Sequence, residues 1–218
     1  DASALIYLPG KVPISSMEPQ RCTPDQLVGI CADRKNLPEV VPHALEKGFD
    51  ILLLDTTRDI SAPWVELGGD FDLTVIRDAI LRLRSMNMEE EISLINFGGV
   101  RSGTDVAKSL AMNCRASIPS VAMALAMGGR MDTRGMDFNG LAPVGSTVEN
   151  PGSNGPSLFD AAVNWIRASS QEAAIIARCA GKTDIHNLEP EDMRSISIAT
   201  SEALGLPLTS GAVRRERF

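Results

Sequence analysis

A glycine-rich turn between a strand and a helix contains the residue types best suited to chemistry. The residues before it are mostly apolar, as a buried parallel strand requires, and Gly98 and Gly99 follow them directly. These glycines allow a tight turn and a close approach of the backbone to a ligand. Thr104 or Asp105 then begins a helix, whose N-terminus directs backbone N–H groups to one point, and Arg101 adds a positive charge. The pattern predicts a phosphate-binding loop, although an ordinary strand-to-helix connection explains it equally well.

Two stretches of the sequence resemble the same protein family. Residues 98–113 resemble the phosphate-binding loop and the following helix in the FMN-binding domain of glutamate synthases. They are similar in particular to the glutamate synthase-like proteins that include the N-methylglutamate synthase large subunit. Residues 177–193 resemble the C-terminal segment of the same family, and the resemblance as a whole covers residues 48–207. The chain is therefore expected to be a divergent and short relative of this FMN-binding domain.

The resemblance also implies which residues hold FMN. Gly98, Gly99 and Arg101 would hold the FMN phosphate, and Ser102 and Gly103 would complete the turn. The flavin would carry the redox chemistry while the protein positions it. The sequence does not identify a proton donor, so the catalytic residues stay unassigned.

Three positions depart from the family pattern at the expected site. Residues 55–59 contain no glycine where the family has a glycine-rich loop, and Cys31 stands where the family has a lysine near the flavin ring. In the second phosphate loop, Ser120 replaces a glycine and follows Pro119, which has no backbone N–H. Asp55 could still face the ligand, and Ser120 still offers a hydroxyl and an N–H to a phosphate. These departures predict that FMN binding is weakened or lost.

Two functions fit a sequence that keeps one phosphate loop of the family and departs from the family pattern elsewhere in the site. The first is a glutamate synthase-like, FMN-dependent oxidoreductase subunit that reduces an imine formed from a 2-oxo acid and ammonia or an amine. The alternative is a degenerate, flavin-free homologue that serves as a structural or regulatory subunit of a larger complex. The family's glutamine-hydrolysing part needs an N-terminal cysteine nucleophile, which this chain does not show. The expected partner is therefore a glutamine amidotransferase-like subunit or another glutamate synthase-like subunit.

The alternation of strand-like and helical stretches predicts an α/β fold. Five strand-like stretches are present, whereas a complete (β/α)8 barrel needs eight strands. Together with the resemblance, this predicts a TIM-barrel-like domain, abbreviated or partial, over residues 1–128. An irregular glycine-rich loop would follow at 129–156, and a C-terminal helical segment at 157–218. Strands are expected at 4–8, 27–32, 51–54, 92–97 and 116–121, and helices at 37–47, 71–86, 105–112, 157–180 and from 184 or 187 to Gly205.

Composition sets the remaining expectations. The chain of 218 residues is 44% hydrophobic, enough for one well-buried domain, and its net charge of −7 argues against a nucleic-acid surface. No apolar run approaches the length of a membrane span and no signal peptide is evident, so a cytoplasmic protein is expected. The four cysteines form no C-x-x-C pair, which disfavours a metal centre or an iron–sulfur cluster. The unpaired strand edges of a partial barrel predict an oligomer or a hetero-complex.

Overall fold

A sheet of five parallel strands organises the fold. The computed structural model describes residues 3–8, 12–57, 71–119, 121–127 and 157–210. The order of the strands in the sheet is their order in the chain. A doubly wound sheet would reverse its order at a switch point, so this order is the one found in an arc of a barrel. The strands, which confirm the predicted α/β class, are β1 (Ala4–Tyr7), β2 (Leu27–Ala32), β3 (Ile51–Asp55), β4 (Ser93–Phe97) and β5 (Ala116–Ile118).

Helices connect the strands and extend the fold at its C-terminal end. α1 has a proline in its first turn and ends at Gly48, whose φ of 73° is the left-handed conformation that glycine adopts readily. α2 is amphipathic and buries one face, as its sequence predicts. Within the described residues the helices are α1 (Leu37–Lys47), α2 (Thr74–Ser85), α3 (Gly103–Ala111), α4 (Val121–Ala126), α5 (Leu158–Cys179) and α6 (Ile198–Leu204).

The prediction of one long final helix is wrong. Two short 3-10 turns, Ile185–Asn187 and Pro190–Asp192, precede α6. Pro190 disfavours a helical conformation in the residue before it, and Glu189 is accordingly extended, with φ −128° and ψ 160°. Further along, the Ser195 N–H donates to the carbonyl of Pro207 over 2.8 Å. The backbone there pairs with an extended segment, so α6 is confined to seven residues.

The fifth strand is shorter than predicted. β5 ends at Ile118, and α4 already begins at Val121. Pro119 follows the strand directly and lacks the N–H that a further ladder hydrogen bond would need. The predicted strand 116–121 is therefore three residues long in the structure.

The main core lies between the sheet and helices α1 and α2. Alternate residues of β2 and β3 point into it, because successive side chains of a strand face opposite sides. The strand contributions are fully buried and comprise Val28, Ile30, Ala32, Leu52 and Leu54. The intervening residues, Cys31, Leu53 and Asp55 among them, lie on the other face of the sheet and are also buried.

The C-terminal segment packs against the sheet's helical layer rather than standing apart. α5 lies against α3, and the small side chains between them allow a close approach. A second cluster of buried apolar residues forms there, made of Ala107, Ala111, Ala173, Ala177 and Leu188. The predicted domain boundaries stay a prediction, and the loop at 129–156, the tail after Ser210 and Ser120 lie outside the described residues.

Candidate functional site

The loops that follow β3 and β4 lie side by side at the carboxyl edge of the sheet. Asp55 is paired with Phe97 in the strand register, and the Thr56 N–H donates to the Phe97 carbonyl over 3.0 Å. Gly98 comes next, with φ 107°. A Cβ atom on Gly98 would lie 2.5 Å from Cγ2 of Thr57, closer than two carbon atoms can approach. Glycine is therefore required here by both the backbone conformation and the neighbouring loop.

Gly99 turns the chain a second time. Its φ is 71°, and a Cβ atom on it would lie 3.2 Å from the ring of Phe71. The same ring lies beneath the side chain of Arg101, whose Cζ is 5.9 Å from the ring centroid. This cation–π contact orients the guanidinium group while leaving its edge accessible. Phe71 is a site residue that the sequence analysis did not identify.

A buried amide fixes the turn from below. The Asn96 side chain is 2% exposed and donates to the Gly98 carbonyl over 3.1 Å and to Oγ of Ser109 over 2.8 Å. Its Oδ1 accepts from the Thr56 hydroxyl over 3.3 Å. One side chain thus ties together the two neighbouring loops and α3. An asparagine in a mostly apolar strand is the sequence signal that could have revealed this role. A polar side chain that is buried in this way has to be hydrogen-bonded, so it connects to neighbouring elements.

Arg101 is held but not buried. Its Nε lies 3.2 Å from Oδ2 of Asp105, one helical turn further on, and its side chain is 52% exposed. Lys108 approaches the other oxygen of Asp105 at 3.4 Å. The single carboxylate of Asp105 is thus shared by Arg101 and Lys108. Arg101 can therefore contribute a charged hydrogen bond to an anion at the turn.

Ser102 begins α3 as its N-cap. Its hydroxyl accepts from the Thr104 N–H over 3.3 Å, and its carbonyl accepts from the Val106 N–H over 3.2 Å. Two backbone N–H groups of the turn are still available, since those of Gly99 and Ser102, both partly exposed, have no hydrogen-bond partner among the described residues. Val100 between them is fully buried. Backbone donors of this kind, next to a helix N-terminus, suit a phosphate group.

Gly103, predicted to complete the turn, lies against α5. A Cβ atom on Gly103 would lie 2.1 Å from the Ser169 carbonyl oxygen and 2.6 Å from Cβ of Glu172. The Gly103 N–H donates to Oε2 of Glu172 over 2.8 Å, and the Thr104 hydroxyl donates to Oε1 of the same carboxylate. The first turn of α3 is therefore satisfied by the protein itself. Glu172 is a second residue that the sequence analysis did not identify.

Asp55 ends β3 on the face of the sheet opposite the main core. It is 4% exposed, and its Oδ1 accepts from both the N–H and the hydroxyl of Thr57, over 2.9 and 2.6 Å. The pairing of Thr56 with Phe97 thus places Asp55 next to the glycine turn. The Oδ2 of Asp55 has no hydrogen-bond partner among the described residues.

Cys31 lies on the same face, one strand away. Burial raises the pKa of its thiol to about 12, and the negative charges of Asp55 and Asp33 act in the same direction. A neutral thiol therefore occupies the position where the family resemblance places a lysine. Cys114 is also buried, while Cys22 and Cys179 are exposed.

Neither histidine lies at this edge of the sheet. Nε2 of His43, in α1, is 2.7 Å from the Met17 carbonyl, and His186 lies in a 3-10 turn of the C-terminal segment. Within the described ranges, no three His, Cys, Asp or Glu side chains are grouped to hold a metal ion. None of the helices described has both the length and the apolar character that a membrane crossing requires.

Comparison with solved structures supports the barrel arc. One structure of a double mutant of flavocytochrome b2 with pyruvate bound matches with a TM-score of 0.51 and 18% identity, over 88% of this chain and 42% of that chain. The same mutant with sulfite bound matches with a TM-score of 0.50 and 17% identity, over the same shares. At such low identity the similarity defines the fold alone: the sheet and its helices have the arrangement seen in part of flavocytochrome b2.

Comparison of sequences then identifies a relative. The chain is 29% identical to a glutamate synthase large subunit-like protein of Rhizobium meliloti (strain 1021), over 76% of this chain and 42% of the relative. No protein-family model matches the chain. The resemblance stated from the sequence is confirmed: the chain is similar to a glutamate synthase large subunit-like protein. It spans less than half of the length of that relative.

Proposed function

We propose that this chain is the FMN-binding part of a glutamate synthase-like oxidoreductase. The reaction is the reduction of an imine formed from a 2-oxo acid and ammonia or an amine. The observation that carries the proposal is the turn after β4, where Gly99 and Ser102 keep N–H groups without partners in the described chain. The relationship to a glutamate synthase large subunit-like protein supports the same reading.

The residues of the turn fit an FMN phosphate. The backbone donors of Gly99 and Ser102 and the guanidinium of Arg101 lie at one point of the chain, directly after two glycines with positive φ or among them. Phe71 and Asp105 keep Arg101 at this point, since one stacks under the guanidinium and the other pairs with it. When bound, the flavin supplies the electron pair for the reduction.

We propose that Asp55 acts on the ring or substrate side of the ligand. Its carboxylate is buried next to the turn, and its Oδ2, which has no partner among the described residues, can accept a hydrogen bond from a ligand N–H. Asp55 would thereby orient the ligand that lies over the carboxyl ends of β3 and β4. The glutamine-hydrolysing activity of such systems would come from a partner subunit of the amidotransferase-like or glutamate synthase-like kind.

A second candidate function is a flavin-free structural or regulatory subunit. The observation in its favour is Cys31, whose neutral thiol supplies no positive charge to stabilise an anionic reduced flavin. Pro119 adds to this, because it removes a backbone donor from the loop after β5. A protein of this kind would keep the sheet and the turn while FMN binds weakly or not at all.

A flavin titration of the purified protein tests the two functions. If the chain is an FMN-dependent oxidoreductase, added FMN should bind with saturation, which quenches the flavin fluorescence. An absorbance scan of the purified protein should also show flavin bands. Riboflavin, which lacks the phosphate, is the matched control and should bind at least about tenfold more weakly, since it loses the charged hydrogen bonds. Failure of FMN to bind at millimolar concentration would favour the flavin-free subunit.

A further inference from the structure

Glu172 reaches the start of α3 from a helix far along the chain. Its two carboxylate oxygens accept from the Gly103 N–H and from the Thr104 hydroxyl, and the pKa of the carboxyl is lowered, chiefly by the Thr104 hydroxyl. These are two of the groups that open α3, directly after the proposed phosphate turn. The carboxylate thus lies beside the cofactor site although its own helix belongs to the C-terminal segment.

Two roles are conceivable for a carboxylate in this position. It could compete with a phosphate for the same donors and keep the site closed, or it could clamp the helix start and so fix the turn. The contacts decide between them. A Cβ atom on Gly103 would lie 2.1 Å from the Ser169 carbonyl and 2.9 Å from the Ala173 nitrogen, so the two helices are in direct backbone contact. This backbone contact keeps the Glu172 carboxylate within reach of the Gly103 N–H, which favours the clamp.

The packing around this contact is part of a buried interface. Ala107 and Ala111 of α3 meet Ala173 and Ala177 of α5 in the second apolar cluster, and Ala173 is fully buried. Ser169 and Ala173 flank Glu172 on the buried side of the same helix. Glu172 is therefore held in place by its own helix, as a clamp requires and as an easily displaced competitor would not be.

We infer that Glu172 is a positioning residue for the phosphate turn. By holding Gly103 and Thr104, it fixes the first turn of α3 and leaves the donors of Gly99 and Ser102 as those that face a phosphate. Helix α5 thereby controls how well the turn retains the cofactor. The part of the inference that concerns FMN rests on the function proposed above.

The clamp can be tested without cofactor by hydrogen exchange of backbone amides. Glu172→Ala should raise the exchange rate of residues 103–106 by about tenfold, the factor that corresponds to losing one or two charged hydrogen bonds. Glu172→Gln keeps an acceptor for the Gly103 N–H and should change these rates much less. Gln171→Ala, an exposed neighbour on the same helix, is the control and should leave them unchanged. Equal rates in wild type and Glu172→Ala would overturn the clamp.

FMN titration of the same variants separates the clamp from the competitor. If Glu172 is a clamp, Glu172→Ala should bind FMN about tenfold more weakly than wild type. Glu172→Gln should bind FMN at least as tightly as wild type, because the side chain keeps a hydrogen-bond acceptor and loses its negative charge. A competitor predicts that both variants bind FMN more tightly, and that result would refute the inference. If wild type binds no FMN, the proposed function fails, while hydrogen exchange still decides the clamp.

A second variant keeps the test decisive if Glu172→Ala does not fold. Thr104→Val removes the hydroxyl that donates to Oε1 but keeps the Gly103 hydrogen bond and the shape of the side chain. It should raise exchange at residues 103–106 in the same direction and by a smaller factor. No change in Thr104→Val, together with wild-type FMN affinity, would contradict the clamp.

Discussion

Gly48 and Gly98 both have positive φ angles, but they differ in what surrounds them. A Cβ atom on Gly48 would meet nothing within 4 Å, whereas one on Gly98 would lie 2.5 Å from Cγ2 of Thr57. Gly48→Ala should therefore cost only the left-handed conformation, about 1–2 kcal/mol. Gly98→Ala should lower the free energy of unfolding by about 2–5 kcal/mol, because overpacking of the neighbouring loop adds to the same strain.

Urea denaturation of the two variants measures this difference directly. Thr57→Ser removes the methyl group that the new side chain would meet, so the double variant with Gly98→Ala should recover about 1 kcal/mol relative to the sum of the single changes. Equal destabilisation in Gly48→Ala and Gly98→Ala would show that the neighbouring loop does not constrain the turn.

Arg101 is expected to bind the FMN phosphate through a charged hydrogen bond. Arg101→Ala should weaken FMN binding by about tenfold or more, the loss that corresponds to 1.5–3 kcal/mol. Lys108→Ala is the matched control, because Lys108 pairs with the same Asp105 carboxylate but lies one turn into the helix. Fluorescence titration with FMN measures both. An affinity of Arg101→Ala equal to that of wild type would exclude Arg101 from the phosphate site.

The four cysteines are expected to differ in reactivity. Burial raises the pKa of both Cys31 and Cys114 to about 12, and the thiolate is the reactive form. Iodoacetamide at pH 8 should therefore modify the exposed Cys22 and Cys179 and leave the other two intact in the folded protein. Mass spectrometry gives the sites, and unfolding in urea should make all four reactive. Rapid modification of Cys31 in native protein would mean that its face of the sheet is open to solvent.

At the scale of single elements, the contact between α3 and α5 should make stability depend on pH. The Thr104 hydroxyl holds the pKa of the Glu172 carboxyl below its ordinary value of 4.5. A lowered pKa means that the folded state favours the ionised form, so the stabilisation is complete above pH 4.5 and is lost as the pH falls through the folded-state value. The difference in unfolding free energy between wild type and Glu172→Gln should accordingly shrink below pH 4.5.

Chemical denaturation between pH 3 and pH 7 checks this prediction. Glu46→Gln, on an exposed position of α1, provides the baseline for removing a carboxylate elsewhere on the surface. A difference between wild type and Glu172→Gln that stays constant over the whole range would argue against an ionised Glu172 in the contact.

The strands and most helices could be predicted because their signals are local. Short apolar runs such as residues 51–54, each followed by polar or turn residues, mark buried parallel strands. The glycine turn of residues 98–101 is equally local and was predicted for the same reason. The extent of the final helix could not be predicted in this way. Pro190 forces its neighbour Glu189 into an extended conformation, and Ser195 pairs with the segment after α6, so the helical pattern is interrupted.

The contribution of Glu172 could not be predicted from local patterns. Its partners Gly103 and Thr104 lie 69 and 68 positions earlier in the chain, and no spacing rule connects residues so far apart. The available hint is a carboxylate in a helical stripe of small residues, beside Ser169, Ala173 and Ala177. A charged side chain in such a stripe requires a buried or half-buried partner.

At the scale of the whole molecule, the sheet has two edges. β1 pairs with β2 alone and β5 with β4 alone among the described strands, whereas a closed barrel of this type has eight strands. Unpaired strand edges are sites of association with other chains. We therefore expect residues 1–218 in isolation to form oligomers or to bind a subunit that supplies strands.

Light scattering of the purified chain tests this expectation. Ile118, 36% exposed on the edge strand β5, is suited to the test, because a lysine on an edge strand opposes further pairing. Ile118→Lys should shift the molar mass toward that of the monomer. Leu81→Lys, on an exposed position of α2, should not. A monodisperse wild-type monomer would contradict the prediction.

The separation between Glu172 and Gly103 also has a consequence for how the protein is made. A contact between residues 69 positions apart forms late, because the entropy of closing a long loop has to be overcome before the contact contributes. During synthesis the strands and the glycine turn leave the ribosome before α5 does. The nascent chain therefore passes through a stage in which the sheet can already assemble while the turn still lacks its clamp. If Glu172 is the clamp inferred above, the turn reaches its final form only after α5 has been synthesised.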